Sequence, residues 1–359
     1  MENIAVITIT RQGFDLARKL MEVLPGVQLY VSQKYVEAPS EAIIPFDGIL
    51  KNLLAEVFQK HEGFIFIMAT GIVVRTIAPY IQDKKVDPAI VVMDLKGKFA
   101  ISLVSGHLGG ANELAQLIAE KTGAIPVITT GTDTMGTIAP DMIAREIGGE
   151  LEDFGPLKYV SGALVDGERV AVANLTGVKA KSLAGELKKN VILCRSIGEI
   201  LAAHCKAAIL ITHELIPEEA QEKLPVHVVI RPKVLSVGLG CNRGTALEEF
   251  EEGLFSILGQ HRLSERCIQT LATAELKRDE EGLLKFADKH GLPIQFWSKE
   301  ELEMVQIPNP SETVSKFVGV RGVAEPAAIL SAKGGKLIVE KVKHGNLTMA
   351  VALISVDGE

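Results

Sequence analysis

The stretch SLVSGHLGGANELAQLIAEKTGAIPVITTGTDT, residues 102–134, gathers the chain's most reactive side chains around its densest glycine run. It reads as a strand, a Gly-rich turn, a helix, another strand and a polar loop. Ligands of parallel α/β sheets bind beyond the carboxyl ends of strands, and both SGHLGGAN and TTGTDT fall at such ends. His107 is the natural acid or base there, because imidazole titrates nearest neutrality. Gly106, Gly109 and Gly110 allow close backbone approach, with Ser105 and Asn112 beside them. The N–H groups that open the following helix favour a carboxylate or a developing oxyanion. Asp133 is the second candidate for proton transfer. The competing roles are structural: Ser105 and His107 capping the helix, and Asp133 serving as an N-cap or turn residue.

Two further strand ends carry weaker candidates for substrate binding. MATGIVVRTIAP offers Thr70, Gly71 and Arg75, whose guanidinium suits a carboxylate but equally suits a solvated helix face. VGLGCNRGTALEEF offers Gly238, Gly240, Cys241 and Arg243. Its spacing is G-x-G-x-x-x-G, with Arg243 where a dinucleotide fingerprint needs its third glycine, and Gly259 and Gln260 stand where the acidic residue belongs. Anion binding remains, with Arg243 assisting. Lys277 in AELKRDEEG and Glu325 in VAEPAA complete the substrate-binding candidates, although a solvated charge run explains Lys277 as well. No G-x-S-x-G elbow surrounds Ser105, since Leu103 and His107 occupy the glycine positions, and HExxH and the P-loop are absent. Activated water is therefore favoured over an acyl-serine. No three ligands show metal spacing, so no protein-bound metal is assigned.

Positioning these loops requires alternating strands and helices. Short β-branched runs bounded by Gly, Pro, Asn or Asp alternate with amphipathic stretches, which predicts a multi-domain α/β protein with largely parallel sheets flanked by helices. IAVITIT begins the chain, and Phe14, Leu16, Ala17, Leu20 and Met21 form the buried stripe of the next helix. AIVVMDLKGKFAISLVSG predicts a hairpin turning at Leu95 to Lys98, and KLIVEKVKHGNLTMAVALISV a second turning near Gly345-Asn346. Punctuation divides the chain into units 1–140, 141–232 and 233–359, the middle one holding few reactive residues. At 359 residues the chain exceeds one ordinary core. Hydrophobic residues reach 47%, yet no run spans a bilayer and no leader opens the chain. A net charge of -7 and 5% aromatic residues argue against a nucleic-acid face. Cys194, Cys205, Cys241 and Cys267 form no CxxC pair, which fits a reducing cytoplasm.

Residues 71–130, then VGLGCNRGT, ELKRDEEGLL, VGVRGVAEPAAILSA, LIVEK and NLTMAVA, resemble in order the cobalt-precorrin-5A hydrolases, the CbiG family of cobalamin biosynthesis. The resemblance covers nearly the whole chain, and SGHLGGAN and GVxxVAEPAA make it specific. It implies a ring-contracted cobalt corrinoid substrate whose ring A acetate is tied as a δ-lactone. Hydrolysis opens the lactone and expels acetaldehyde, giving cobalt-precorrin-5B in the anaerobic pathway. The cobalt belongs to the substrate, so no cofactor is implied. The third unit also resembles a separate corrinoid-associated protein of the aerobic pathway. Expected partners are the corrinoid, a transient contact with pathway methyltransferases, and a second copy in a homodimer, with neither nucleic acid nor membrane. Two other readings compete: a non-catalytic corrinoid carrier, which acetaldehyde release excludes, and a nucleotide-dependent oxidoreductase, which failure to bind NAD(P) excludes.

Overall fold

A computed structural model describes residues 1, 3–36, 39–84, 86–185, 187–310 and 320–355. The chain divides into two compact units, Met1–Thr137 and Ile138–Glu359. The first holds one seven-stranded sheet: β1 (Ile4–Thr8), β2 (Gln28–Ser32), β3 (Ile43–Phe46), β4 (Gly63–Ile67), β5 (Ala89–Met93), β6 (Phe99–Val104) and β7 (Ile125–Val127). Their order is β3-β2-β1-β4-β5-β6-β7. Helices cover both faces, so the central strands are apolar throughout rather than alternating. Helices Arg11–Val23 and Ala111–Thr122 bury Phe14, Ala17, Leu20, Leu114, Ala115 and Ile118 against one face. Helices Leu50–Val57 and Thr70–Ile77 bury Leu53, Leu54, Val73 and Ile77 against the other. Strand β3 contains Pro45 and lies at the sheet edge, the place a residue without an N–H tolerates.

One pairing decides where the reactive loops go. Strands β5 and β6 form the expected hairpin, with Gly97 at φ +67° and Gly97 N–H donating to the Asp94 carbonyl. Strand β6 is therefore antiparallel to β5 while β7 is parallel to β6. The exits of β6 and β7 share one end of the sheet, near the start of β5, where Ile90 pairs with Val104. Strands β1, β4 and β5 exit at the other end.

The second unit contains two sheets. One has the order β10-β9-β11-β12-β8, built from β8 (Gly149–Leu151), β9 (Val170–Asn174), β10 (Val191–Cys194), β11 (Ala207–Ile211) and β12 (Val226–Pro232). The other has the order β15-β14-β13-β17-β16, built from β13 (Leu235–Cys241), β14 (Ile268–Ala274), β15 (Ile294–Trp297), β16 (Leu337–His344) and β17 (Leu347–Leu353). His344 pairs with Leu347, so Gly345-Asn346 is a two-residue hairpin loop with Gly345 at φ +52°. Arg231 on β12, 1% exposed, ties the segments that follow β8 and β11: it donates from Nη2 to both Glu152 oxygens at 3.1 Å and from Nη1 to the Thr212 and Glu214 carbonyls. The Ser264 N–H donates to the His213 carbonyl, and Arg266 Nη1 donates to the Glu152 carbonyl. Among the described residues no helix is long and apolar enough to cross a membrane.

Candidate active site

The turn after β6 and the loop after β7 meet, and they bring His107 to Asp133. Asp133 lies in a short helix, Gly131–Met135, that follows the second strand. His107 Nε2 and Asp133 Oδ2 are 2.8 Å apart, with side-chain exposures of 15% and 40%. A carboxylate only accepts, so the neutral ring carries its proton on Nε2 and its basic lone pair on Nδ1. The Thr132 hydroxyl also lies 3.1 Å from Nε2. An imidazole so held can take a proton from water while the carboxylate stabilises the cation that results.

Asn112 braces the carboxylate. Its Nδ2 donates to Asp133 Oδ2 and to Thr130 Oγ1, both at 2.9 Å, and its Oδ1 accepts from Ser102 Oγ at 2.6 Å. The amide expected to touch substrate is instead 5% exposed and spent inside the fold. Ser102, Thr130 and Thr132 escape a reading from sequence, because hydroxyl residues within or just after strands carry no local mark of what they bond.

The glycines of the turn likewise serve the fold. A Cβ on Gly106 would stand 2.7 Å from Asn112 Oδ1 and 3.1 Å from Thr130 Oγ1, so its absence makes room for that network. A Cβ on Gly109 would meet Ser105 Cβ at 2.4 Å. Gly110 sits at φ +84° as the N-cap of helix Ala111–Thr122. The N–H groups of Gly110, Ala111 and Asn112 donate to the carbonyls of His107, Ser105 and Gly106. Those three donors, expected to meet an oxyanion, are consumed by the turn. Ser105 holds φ +58°, a strained conformation for a residue with a Cβ, and its hydroxyl is buried without a partner.

Thr70 and Gly71 open the helix after β4, at the end of the sheet opposite the β6 and β7 exits, and Arg75 lies in the last turn of that helix. Arg75 is exposed and donates to the Gly71 carbonyl at 3.1 Å. The pairing of β5 with β6 thus parts Thr70 and Gly71 from the turn that carries His107.

The remaining candidates lie in the second unit. Gly238 on β13 lets helix Ala324–Ser331 approach: a Cβ there would fall 1.8 Å from the Ala324 carbonyl oxygen. Gly240 leaves ordinary space. Lys277 and Glu280, both buried, are bonded at 3.0 Å, and Glu280 Oε1 accepts the Gly244 N–H. Arg243 donates to Asp279 and to the Leu276 carbonyl. Both cations foreseen as carboxylate clamps therefore have internal anions or carbonyls already. Burial pushes the Cys241 thiol up, against the pull of Lys277. Glu325, 1% exposed, accepts from Asn309 Nδ2 at 2.8 Å and from the Lys341 N–H at 3.0 Å, which pins neighbouring segments rather than facing a ligand. Among the described residues, no three of His, Cys, Asp and Glu converge as metal ligands.

Helix-flanked, mostly parallel sheets with an aspartate-held imidazole on a strand-to-helix turn define a mixed α/β protein with a candidate acid–base site. Family models agree and are more specific: cobalamin synthesis G N-terminal matches residues 52–133, cobalamin biosynthesis central region 138–232, and cobalamin synthesis G C-terminus 235–352. The cobalt-precorrin-5A hydrolase of Priestia megaterium is 39% identical over 98% of this chain and 95% of its own. That of Salmonella typhimurium is 33% identical over 98% of each. Protein CobE of Sinorhizobium is 31% identical over 33% of this chain and 79% of its own. The chain belongs to the cobalt-precorrin-5A hydrolase family.

Proposed function

We propose that this chain opens the ring A δ-lactone of a ring-contracted cobalt corrinoid and releases acetaldehyde, yielding cobalt-precorrin-5B. The observation that carries the mechanism is the 2.8 Å contact of His107 with Asp133 at a strand-to-helix turn. His107 takes a proton from water as its oxygen attacks the lactone carbonyl, and Asp133 steadies the imidazolium. The tetrahedral intermediate breaks its bond to the ring oxygen, leaving the acetate as carboxylate and an alkoxide on the departing carbon. The alkoxide becomes the aldehyde carbonyl as the carbon–carbon bond breaks, its electron pair passing to the macrocycle. Donors for the oxyanion come from outside Gly110 to Asn112, whose N–H groups the turn uses. A general base of this kind contributes roughly 100-fold to 10,000-fold.

The reaction needs no resident cofactor, since cobalt arrives within the substrate. Its setting is the reducing cytoplasm, a reading supported by four cysteines that are all free. Hand-over of product to a methyltransferase and assembly as a homodimer belong to the same proposal, and light scattering of the pure protein tests the second. Incubation with the lactone-bearing precursor, followed by mass and acetaldehyde analysis, tests the reaction. Hydrolysed product with stoichiometric acetaldehyde supports it. Corrinoid that stays bound and unchanged rejects it in favour of a carrier.

A further inference from the structure

We infer that Ser102 and Asn112 are positioning residues that set the tautomer of His107 through Asp133, an inference that rests on His107 acting as the base. Four polar groups form one chain: Ser102 Oγ to Asn112 Oδ1 at 2.6 Å, Asn112 Nδ2 to Asp133 Oδ2 at 2.9 Å, and Asp133 Oδ2 to His107 Nε2 at 2.8 Å. The direction of each bond follows from what each group can do. Asp133 as a carboxylate only accepts, so the side of the amide that faces it is the NH2. The carbonyl side then faces Ser102, whose hydroxyl must donate. Asp133 Oδ2 receives one N–H from the amide and one from the ring, which fixes the ring proton on Nε2 and the lone pair on Nδ1.

The chain is held from both ends and cannot easily be rearranged. Asn112 is 5% exposed, its backbone N–H is tied to the Gly106 carbonyl at 3.0 Å, and its second amide hydrogen goes to Thr130 Oγ1. Flipping the amide would set its carbonyl against the Asp133 carboxylate, two acceptors with no hydrogen between them, and give up the bond to Thr130 Oγ1 as well. The missing side chain of Gly106 is what leaves this path open, since a Cβ there would press on both Asn112 and Thr130. Ser102 thus reaches the ring of His107 through three hydrogen bonds, from inside β6.

The test uses the full-length protein and four variants. Ser102→Ala removes one neutral hydrogen bond of about 1 kcal/mol, so kcat should fall roughly fivefold with KM nearly unchanged. Ser102→Thr, which keeps the hydroxyl on a strand, should restore it. Asn112→Leu lets the carboxylate swing and should cost roughly 100-fold in kcat, as a misplaced catalytic group does. Asn112→Asp, close in size in case the leucine variant does not fold, puts a second negative charge by the imidazolium. The acid limb of its kcat/KM profile should move up by about one pH unit. Nitrogen-15 NMR of the His107 ring reports the tautomer without any turnover: the native ring should be Nε2–H, and a mixture should appear in Asn112→Leu and Asn112→Asp. An unchanged tautomer and pH profile in both Asn112 variants overturns the inference, even if stability falls. A native protein that releases no acetaldehyde, but whose tautomer responds as stated, refutes the reaction and leaves the relay standing.

Discussion

Replacing His107 by alanine removes both the proposed base and one donor to Asp133, and the structure separates the two effects. The fold should survive. Asp133 keeps the Asn112 Nδ2 donor at 2.9 Å, and its side chain is 40% exposed, so water replaces the lost ring N–H. The lost bond, 2.8 Å long but near solvent, amounts to about 1 kcal/mol. The chemical cost is larger, since loss of a general base worth 100-fold to 10,000-fold raises the barrier by roughly 3–5 kcal/mol. Glutamine is the informative second variant, because its amide nitrogen reaches where Nε2 lies and can donate to Asp133 without accepting a proton from water. Denaturant midpoints and initial rates of acetaldehyde release, measured on both variants, decide the matter. Stable variants that are both at least 100-fold slow confirm a base. A slow, destabilised alanine variant beside a nearly active glutamine variant would reduce His107 to a brace of the loop. Near-normal rates in both would refute the reasoning and turn attention to Asp133.

Other outcomes follow from burial and close approach. Gly238→Ala should cost about 3 kcal/mol or more and weaken the β13 sheet, since its Cβ would overlap the Ala324 carbonyl oxygen, and calorimetry of the full chain checks this. Arg231→Ala should cost about 2–3 kcal/mol in urea titrations, because it removes the buried guanidinium shared by the Glu152 carboxylate and the Thr212 and Glu214 carbonyls. Burial holds His61 and His213 below their ordinary value of 6.5. The unfolded chain then binds more protons in the window below 6.5, so this stability is complete above it and is lost as pH falls toward the folded values. The melting temperature should drop between pH 7 and 5.5, and a flat profile over that range contradicts the assignment.

Much of the fold is legible in the residues because each marker acts locally. The apolar runs of β1, β4 and β5 report burial on both faces, Leu95 to Lys98 and Gly345-Asn346 report turns, and Gly110 before an amphipathic stretch reports a helix start. Strands β2, β3 and β8 leave weaker traces, being short or, for β3, interrupted by Pro45. His107 and Asp133 could each be singled out as a titratable residue at a strand end, with no sign of how near they come. Tertiary structure decided that distance, by laying β7 parallel beside β6 so that the two exits share one end of the sheet. It also decided that Asn112, Lys277 and Glu325, polar residues that sequence offers to a ligand, answer to Asp133, Glu280 and Asn309 instead. Periodicity records which face of an element is buried, whereas a buried polar group takes whatever partner the closed fold brings within 3 Å or so, and that partner can lie anywhere along the chain.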